Sequence, residues 1–325
     1  MPLRITFGVN TWINQPIFTS RSPVPACSFR TLREEELAWY TAEALNHFGS
    51  KRLPTRKDDQ LIQQMLGKSP NDQESKRTDK TYYIANVIAY LRVVNELLSG
   101  DFIDSFNGST NVDDLVIYNY HRVFRDLLFD SLILLKYSTN IEKTPARYQC
   151  GKNSWQHSLT LYQSLRQAIF GQASFHSFVE IEPDLSISLI RQLVELRVRR
   201  AFGILGWYDS TTDSFEPLPI SRLFETIARY RKNIDFSVPI DCLIRIYGWS
   251  NVFLHTGIKD YSWKHILVKD YLKTFSIGKE GGFNVNDGIS MPKGVLTAIV
   301  SELEATHPKN ARLITFQSEA RLSGA

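Results

Sequence analysis

Cysteine is scarce in this chain of 325 residues. The three cysteines, Cys27, Cys150 and Cys242, stand far apart, are odd in number and form no C-x-x-C arrangement. This spacing argues against a disulfide framework and against a zinc site, and it favours a reducing compartment. We expect the three thiols to be buried as small apolar groups.

The sequence also lacks an excess of one charge, long apolar runs and an export signal. Its 38 Lys and Arg stand against 34 Asp and Glu, and the net charge of +4 is too small to indicate nucleic-acid binding unaided. The longest apolar stretches, such as 127–135, contain charged residues and fall short of the roughly 20 residues that a membrane span needs. The first residues lack the basic start and apolar run of a signal peptide. These absences predict a cytoplasmic protein with no membrane partner.

The signatures of many enzymes are missing as well. The chain contains no G-x-S-x-G, Walker lysine loop, G-x-G-x-x-G or H-E-x-x-H motif. Most of its seven histidines are isolated, and none forms an H-x-x-x-H pair. We therefore expect no metal and no cofactor.

Helical periodicity dominates what the sequence does contain. Apolar residues recur at three- and four-residue steps and strict alternation is scarce, so the predicted class is all-α, a multi-helix bundle. The polar stretch 67–80 and the turn-rich stretch 207–218 are predicted to be loops, and 311–316 a short strand with no partner. The predicted helices span 31–48, 81–98, 113–137, 154–170, 185–202, 219–232, 238–255, 263–275 and 295–305.

The predicted helix 238–255 concentrates polar side chains in a segment that otherwise looks buried. Asn251 and His255 stand four residues apart, a spacing that rotates a side chain by only about 40° and puts both on one face. A neutral histidine can act as a general base near neutral pH, and an asparagine one turn away can hold its tautomer or donate to a phosphate. The alternative is that His255 stabilises the helix end beside Gly257.

A second polar cluster lies on the predicted helix 185–202. Arg191, Glu195 and Arg199 follow one another at four-residue steps, and Arg197 lies beside them. Such a line stabilises a surface helix by a few tenths of a kcal/mol per ion pair. The functional alternative is that Glu195 orients an arginine, or a histidine of a neighbouring helix, and leaves the other guanidinium groups for phosphate.

Two segments together resemble the hallmark helices of HEPN domains. They are SLIRQLVELR at 188–197 and WSNVFLHTG at 249–257, and the resemblance covers about 153–275. It implies a HEPN-like four-helix bundle in the C-terminal half of the chain. Domains of this family commonly dimerise and often act as metal-independent ribonucleases.

The resemblance also implies roles for individual residues. His255 would act as base or acid while the RNA 2′-hydroxyl attacks the adjacent phosphate, with Arg245 or Asn251 stabilising the developing charge. Glu195 would orient these groups. The RNA-binding residues would be Arg191, Arg197 and Arg199.

The arginine position departs from the family's pattern. In active members four to six residues separate an arginine from the histidine, whereas Arg245 stands ten residues ahead of His255 and roughly 80° off its face. The predicted function is therefore RNA-directed, either a metal-independent ribonuclease of a defence or toxin type or a non-catalytic RNA or nucleotide binder. The alternative is a helical scaffold that docks a partner through Trp249, Phe253 and Trp263.

The predicted domain organisation has three parts. Residues 1–150 form an N-terminal helical region with an irregular lead-in, and 151–277 form the HEPN-like helical domain. Residues 278–325 form an irregular tail with one helix. The expected partners are RNA and a second copy of the chain, bound through the HEPN-like domain.

Overall fold

The computed structural model describes residues 29–99, 121–139, 185–277, 288–306 and 311–323, and it is mainly helical. The α-helices in these ranges are α1 (Phe29–Phe48), α2 (Asp58–Met65), α3 (Pro70–Lys76), α4 (Lys80–Leu97), α5 (His121–Ser138), α6 (Ser186–Phe202), α7 (Ile220–Arg229), α8 (Ile240–Thr256), α9 (Ser262–Tyr271), α10 (Lys273–Ile277) and α11 (Lys293–Ala305). The strands are β1 (Ile204–Asp209), β2 (Ser214–Pro217), β3 (Asp235–Phe236), β4 (Ile289–Pro292), β5 (Ala311–Thr315) and β6 (Arg321–Ser323). The sequence predicts an all-α protein, and the predominance of helices is confirmed.

Glycines end three of the helices that periodicity predicts. Gly49, Gly203 and Gly257 follow α1, α6 and α8 with φ angles of 63°, 65° and 66°. A residue that has a Cβ rarely adopts this left-handed backbone conformation. Each helix therefore ends where a glycine allows the turn. The predicted helix 154–170 lies outside the described residues. Within the described ranges, no helix is long and apolar enough to span a membrane.

The core is built around α4, which packs against α1, α2, α5 and α9. Trp263 of α9 is fully buried; its ring stacks on Tyr261 at 4.7 Å between centroids and meets Tyr90 edge-on at 5.6 Å. Its indole N–H donates to Asn86 Oδ1 at 3.1 Å, which satisfies the buried donor. α4 lies in the N-terminal half of the sequence and α9 in the C-terminal half. The two halves of the chain therefore share one hydrophobic core.

Two three-stranded sheets are the main departure from the predicted all-α class. β1 pairs antiparallel with β2 and β5, and β4 lies between β3 and β6. The stretch 207–218, predicted to be a loop, is instead largely a β-hairpin. Asp209 accepts the backbone N–H of Thr211 at 2.7 Å within its turn. The strand predicted at 311–316 is confirmed as β5, but the prediction that it has no partner is wrong.

The described part of the predicted C-terminal tail, 278–325, contains the one predicted helix but also strands where the sequence predicts irregular structure. Its described residues form α11 and also β4, β5 and β6. Backbone hydrogen bonds join β5 to β1 and β4 to β3. The tail is therefore paired with strands that precede it by up to about a hundred residues. Local periodicity cannot reveal such a pairing.

The polar stretch 67–80, predicted to be an exposed loop, contains α3 and packs against the helical core; we call it the α3 segment. Ser69 caps α3 by accepting the N–H of Asp72 at 3.2 Å. The Gln73 side chain accepts the N–H of Gly67 at 2.6 Å, which folds the entry of the segment back on its helix. Since polar contacts hold this segment, the search for apolar periodicity misses it.

Candidate functional site

The helices that carry the predicted site residues, α6 and α8, pack directly against each other. Arg191 of α6 reaches Tyr247 of α8. Its guanidinium donates to the phenol oxygen at 3.1 Å and lies 5.2 Å from the ring centroid. The two polar clusters found in the sequence thus lie on neighbouring elements.

Glu195 lies between two arginines of its own helix. Arg199 donates to it through Nε at 3.2 Å and Nη2 at 2.9 Å, and Arg191 lies 3.9 Å away. Arg199 also donates to the backbone oxygens of Leu205 and Leu218 at 3.1 and 2.6 Å. This guanidinium therefore connects α6 to the β1–β2 hairpin. The hydrogen bonds to Glu195 hold the guanidinium in the position that makes this contact.

Arg197, predicted to bind RNA, is only 6% exposed. Its Nε donates to the backbone oxygen of Phe275 at 3.2 Å, and its Nη1 lies 3.2 Å from the carboxylate of Glu319. Burial lowers the pKa of this guanidinium, while the charge of Glu319 opposes the shift. The side chain joins α6 to α10 and to the segment before β6.

Arg245 of α8 reaches the α3 segment. Its Nη1 donates to the Asp72 carboxylate at 2.7 Å and to the backbone oxygen of Leu66 at 2.9 Å. Burial acts to raise the pKa of Asp72, but the N–H of Lys68 and the charge of Arg245 outweigh it and hold that pKa below its ordinary value. The guanidinium predicted to face a phosphate is thus paired with a carboxylate.

Asn251 and His255 lie one turn apart on α8. His255 is exposed in the last turn, and Asn251 is half-buried with an Oδ1 atom that accepts no hydrogen bond among the described residues. Ten residues separate Arg245 from His255, which corresponds to about 15 Å along the helix axis. The helix therefore brings Asn251 to His255 and leaves Arg245 at a distance from both.

The aromatic residues predicted to dock a partner are buried. Trp249, Phe253 and Trp263 are 4%, 6% and 0% exposed. The prediction that these three side chains form an exposed docking surface is therefore wrong. Periodicity shows that side chains recur on one face of a helix, but it cannot show whether another element covers that face.

A buried charge pair beside these helices escapes the sequence analysis. Lys264 of α9 is fully buried, and its ammonium donates to Asp260 at 2.9 Å. It also donates to the Met65 backbone oxygen and the Tyr82 hydroxyl, both at 3.1 Å. Asp260 accepts the indole N–H of Trp249 at 2.9 Å. The four-residue spacing of Asp260 and Lys264 is visible in the sequence, but their burial depends on α2, α4 and α8.

A cleft lies between the α3 segment, the start of α6 and the C-terminal half of α8. Its cavity volume is about 30 Å³, which is the space of about one water molecule. Arg77 and Lys259 line it beside Asp260, although the two cations are only 8% and 5% exposed. Val252 also lines the cleft and stands one turn before His255, so His255 lies near the rim.

The described residues contain no candidate metal site. Across the described ranges, no group of three or more His, Cys, Asp or Glu could hold a metal ion. Cys242 is buried and free, as predicted, and burial raises the pKa of its thiol. The other two cysteines, Cys27 and Cys150, lie outside the described residues.

Comparison with known proteins adds no family to this description. No family model, no curated protein and no solved structure matches the chain. The fold and cleft define a mainly helical protein with two small sheets.

Proposed function

We propose that this protein is RNA-directed and that it binds RNA without cleaving it, as a HEPN-like protein with an incomplete catalytic set. The observation that carries RNA binding is the cleft, where Arg77 and Lys259 line the wall beside the packed pair α6 and α8. Lysine and arginine side chains supply the phosphate contacts in most complexes with nucleic acids. The carboxylates of Glu74 and Asp260 line the same cleft, so a phosphate of an acidic polymer would compete with them for the two cations.

The positions of Arg245 and His255 support binding over cleavage. A ribonuclease of the HEPN type would need a guanidinium beside the histidine to stabilise the charge that develops on the phosphate. Arg245 instead lies about 15 Å along the helix from His255 and is paired with Asp72 at 2.7 Å. His255, exposed in the last turn of α8, would then contact RNA rather than exchange protons with it.

Fluorescence anisotropy with labelled RNA tests this proposal on the full chain. We expect the wild type to bind RNA in EDTA and to leave it intact on a gel. Replacement of Lys259 by glutamine should weaken binding several-fold and reduce the slope of log affinity against log salt by about 1, because one phosphate contact is lost. Lys232→Gln, an exposed lysine outside the cleft, is the matched control and should bind as the wild type does.

Two results would contradict the proposal. Absence of RNA binding by a folded wild-type protein would remove the RNA-directed function altogether. Cleavage in EDTA that disappears in His255→Ala would instead establish a ribonuclease and assign its base. Thermal melting of each variant separates a lost contact from a lost fold.

A homodimer through the HEPN-like domain remains a proposal, and one surface of α6 favours it. Leu189 and Leu196 are 66% and 47% exposed, although leucines are usually buried. They stand seven residues apart and so lie on one face of the helix. A second copy of the chain could bury both leucines against the same face of its own α6.

Light scattering after size exclusion tests the dimer. We expect the mass of two chains for the wild type and of one chain for the double variant Leu189→Ser, Leu196→Ser, because the change removes the apolar contact but no core packing. Leu322→Ser, which alters an exposed leucine of β6, is the control. A monomeric wild type would rule out this interface.

A further inference from the structure

The sheet β2-β1-β5 has one covered face and one open face. Trp207 of β1 and Leu313 of β5 lie opposite each other and are buried, 2% and 8% exposed. The guanidinium of Arg222 lies 4.9 Å from the Trp207 ring centroid on this side. Side chains of a strand alternate between the faces, so the next residue along β1, Tyr208, lies on the other face.

The open face carries a row of three large side chains across the three strands. Tyr208 of β1 is paired with Phe215 of β2 on one side and with Arg312 of β5 on the other. Residues directly opposite in antiparallel strands have side chains on the same face, about 5 Å apart. Phe215 is 51% exposed, Arg312 is exposed and Tyr208 is half-buried. We call these three residues the aromatic row.

Two contacts hold the Tyr208 ring in place. The Arg312 guanidinium lies 5.4 Å from the centroid of the Tyr208 ring. The Tyr208 hydroxyl donates to Asp213 at 2.6 Å, which fixes the far end of the ring. Along β1, the neighbour of Tyr208 on this face is Gly206, and a Cβ there would lie 2.3 Å from the backbone oxygen of Glu216, so that flank of the ring is closed by backbone. The row therefore offers one ordered ring, Tyr208, between the exposed side chains of Phe215 and Arg312.

This chemistry fits the bases of a single strand. An open sheet face normally carries polar side chains, whereas this one carries an exposed phenylalanine beside an ordered tyrosine and a guanidinium. Unpaired bases stack on aromatic rings and on arginine planes, whereas the bases of a duplex are already stacked on each other. A protein partner would need about 800 Å² of contact on each side, more than a row of three side chains supplies.

The charges around the row place the backbone of such a strand. Arg312 on β5 supplies the cation for a phosphate, whereas Asp209 and Asp213 lie at the β1–β2 turn, at the same end of β1 as Tyr208 but on the side of β2. Both carboxylates already accept local hydrogen bonds, from Thr211 and from Tyr208. The phosphates would therefore follow the β5 side, with bases directed toward Phe215.

We propose that the aromatic row Phe215, Tyr208 and Arg312 is a stacking surface for single-stranded RNA. The inference rests on the proposed RNA-directed function and names its substrate class as unpaired rather than double-stranded RNA. It adds a binding surface on the β2-β1-β5 sheet to the cleft between α3, α6 and α8. Each base stacked on the row would contribute affinity with little dependence on its identity.

Anisotropy titrations of the full chain with a labelled oligouridine of about 12 nucleotides, close to the site sizes of single-strand binders, test the row. We expect the wild type to prefer this strand to a duplex of the same length. Phe215→Ala and Arg312→Ala should each weaken binding of the single strand about tenfold, the loss of one stacked base or of its cation. Leu322→Ala removes a side chain that is 40% exposed in the other sheet and should change nothing. Lys259→Gln reports on the cleft in the same titration.

Each other outcome overturns the inference in a distinguishable way. Equal affinity for wild type, Phe215→Ala and Arg312→Ala, with binding still weakened in Lys259→Gln, would remove the row and keep the RNA-directed function. Equal binding of single strand and duplex would remove the stacking role as well. Absence of RNA binding by the wild type would remove the proposed function and the row together. A change from dimer to monomer in Phe215→Ala would assign the row to self-association.

Discussion

Replacement of Asp260 by asparagine is expected to destabilise the protein by about 3–5 kcal/mol, because it leaves a buried ammonium without its carboxylate. Lys264 is fully buried and lies 2.9 Å from Asp260. An asparagine can still accept the indole N–H of Trp249, but its NH2 group would then face the backbone N–H of Tyr261, which Asp260 Oδ1 accepts at 2.8 Å. The loss therefore includes this hydrogen bond as well as the charge. Urea unfolding of both proteins at neutral pH measures the difference.

A surface pair on the same helix supplies the control. Lys269 lies 2.6 Å from Asp270 on α9, but its side chain is 65% exposed. Lys269→Met should therefore cost less than about 1 kcal/mol, because solvent screens the pair. The double variant Asp260→Asn, Lys264→Met should recover part of the loss, since an apolar side chain can take the place of the buried charge. If Asp260→Asn costs no more than Lys269→Met, the buried pair does not hold α9 in place.

The same pair predicts the direction of the pH dependence. Burial acts to raise the pKa of Asp260, but Lys264 and Arg77 outweigh it and hold the pKa below its ordinary value. A carboxyl group of this kind stabilises the fold fully above the unfolded pKa of about 3.9, and the contribution is lost as pH falls through the lower folded pKa. The difference in unfolding free energy between wild type and Asp260→Asn should thus shrink in acid.

The sequence predicts those parts of the fold in which apolar side chains repeat locally. α4, α6 and α8 follow directly from apolar steps of three and four residues, and Gly203 and Gly257 mark where two of them stop. The hairpin β1–β2 is missed because its exposed strand, β2, has no alternation of burial. The pairing of β1 with β5 joins residues about a hundred positions apart, and no local pattern encodes that contact.

The candidate site is less predictable than the helices, because its chemistry depends on which elements meet. The pattern places Asn251 and His255 on one face of α8, and the structure agrees. It cannot predict that Asp72 of the α3 segment pairs with Arg245, since the segment has no apolar periodicity and its polar residues look like those of a loop. The buried state of Lys264 likewise follows from contacts with α2 and α4.

Replacement of Gly248 by alanine should destabilise the protein by about 2 kcal/mol, although alanine favours a helix by about 1 kcal/mol over glycine. The sign reverses because a Cβ at this position would lie 2.2 Å from the backbone oxygen of Lys68. Displacement of the α3 segment would cost free energy, because contacts that hold it would be lost. Its Asp72 carboxylate accepts the N–H of Lys68 at 2.8 Å and pairs with Arg245.

Gly294 of α11 is the matched control, because a Cβ added there meets nothing within 4 Å. Gly294→Ala should stabilise the protein by about 0.5–1 kcal/mol through helix propensity alone. Urea unfolding of the two variants against the wild type measures both signs in one series. Trypsin should also cut Gly248→Ala faster at Lys68 and Lys76 if the α3 segment is displaced from α8. A gain in stability for both variants would show that Lys68 and α8 do not constrain each other, and the wall of the cleft formed by α3 would then be free to move.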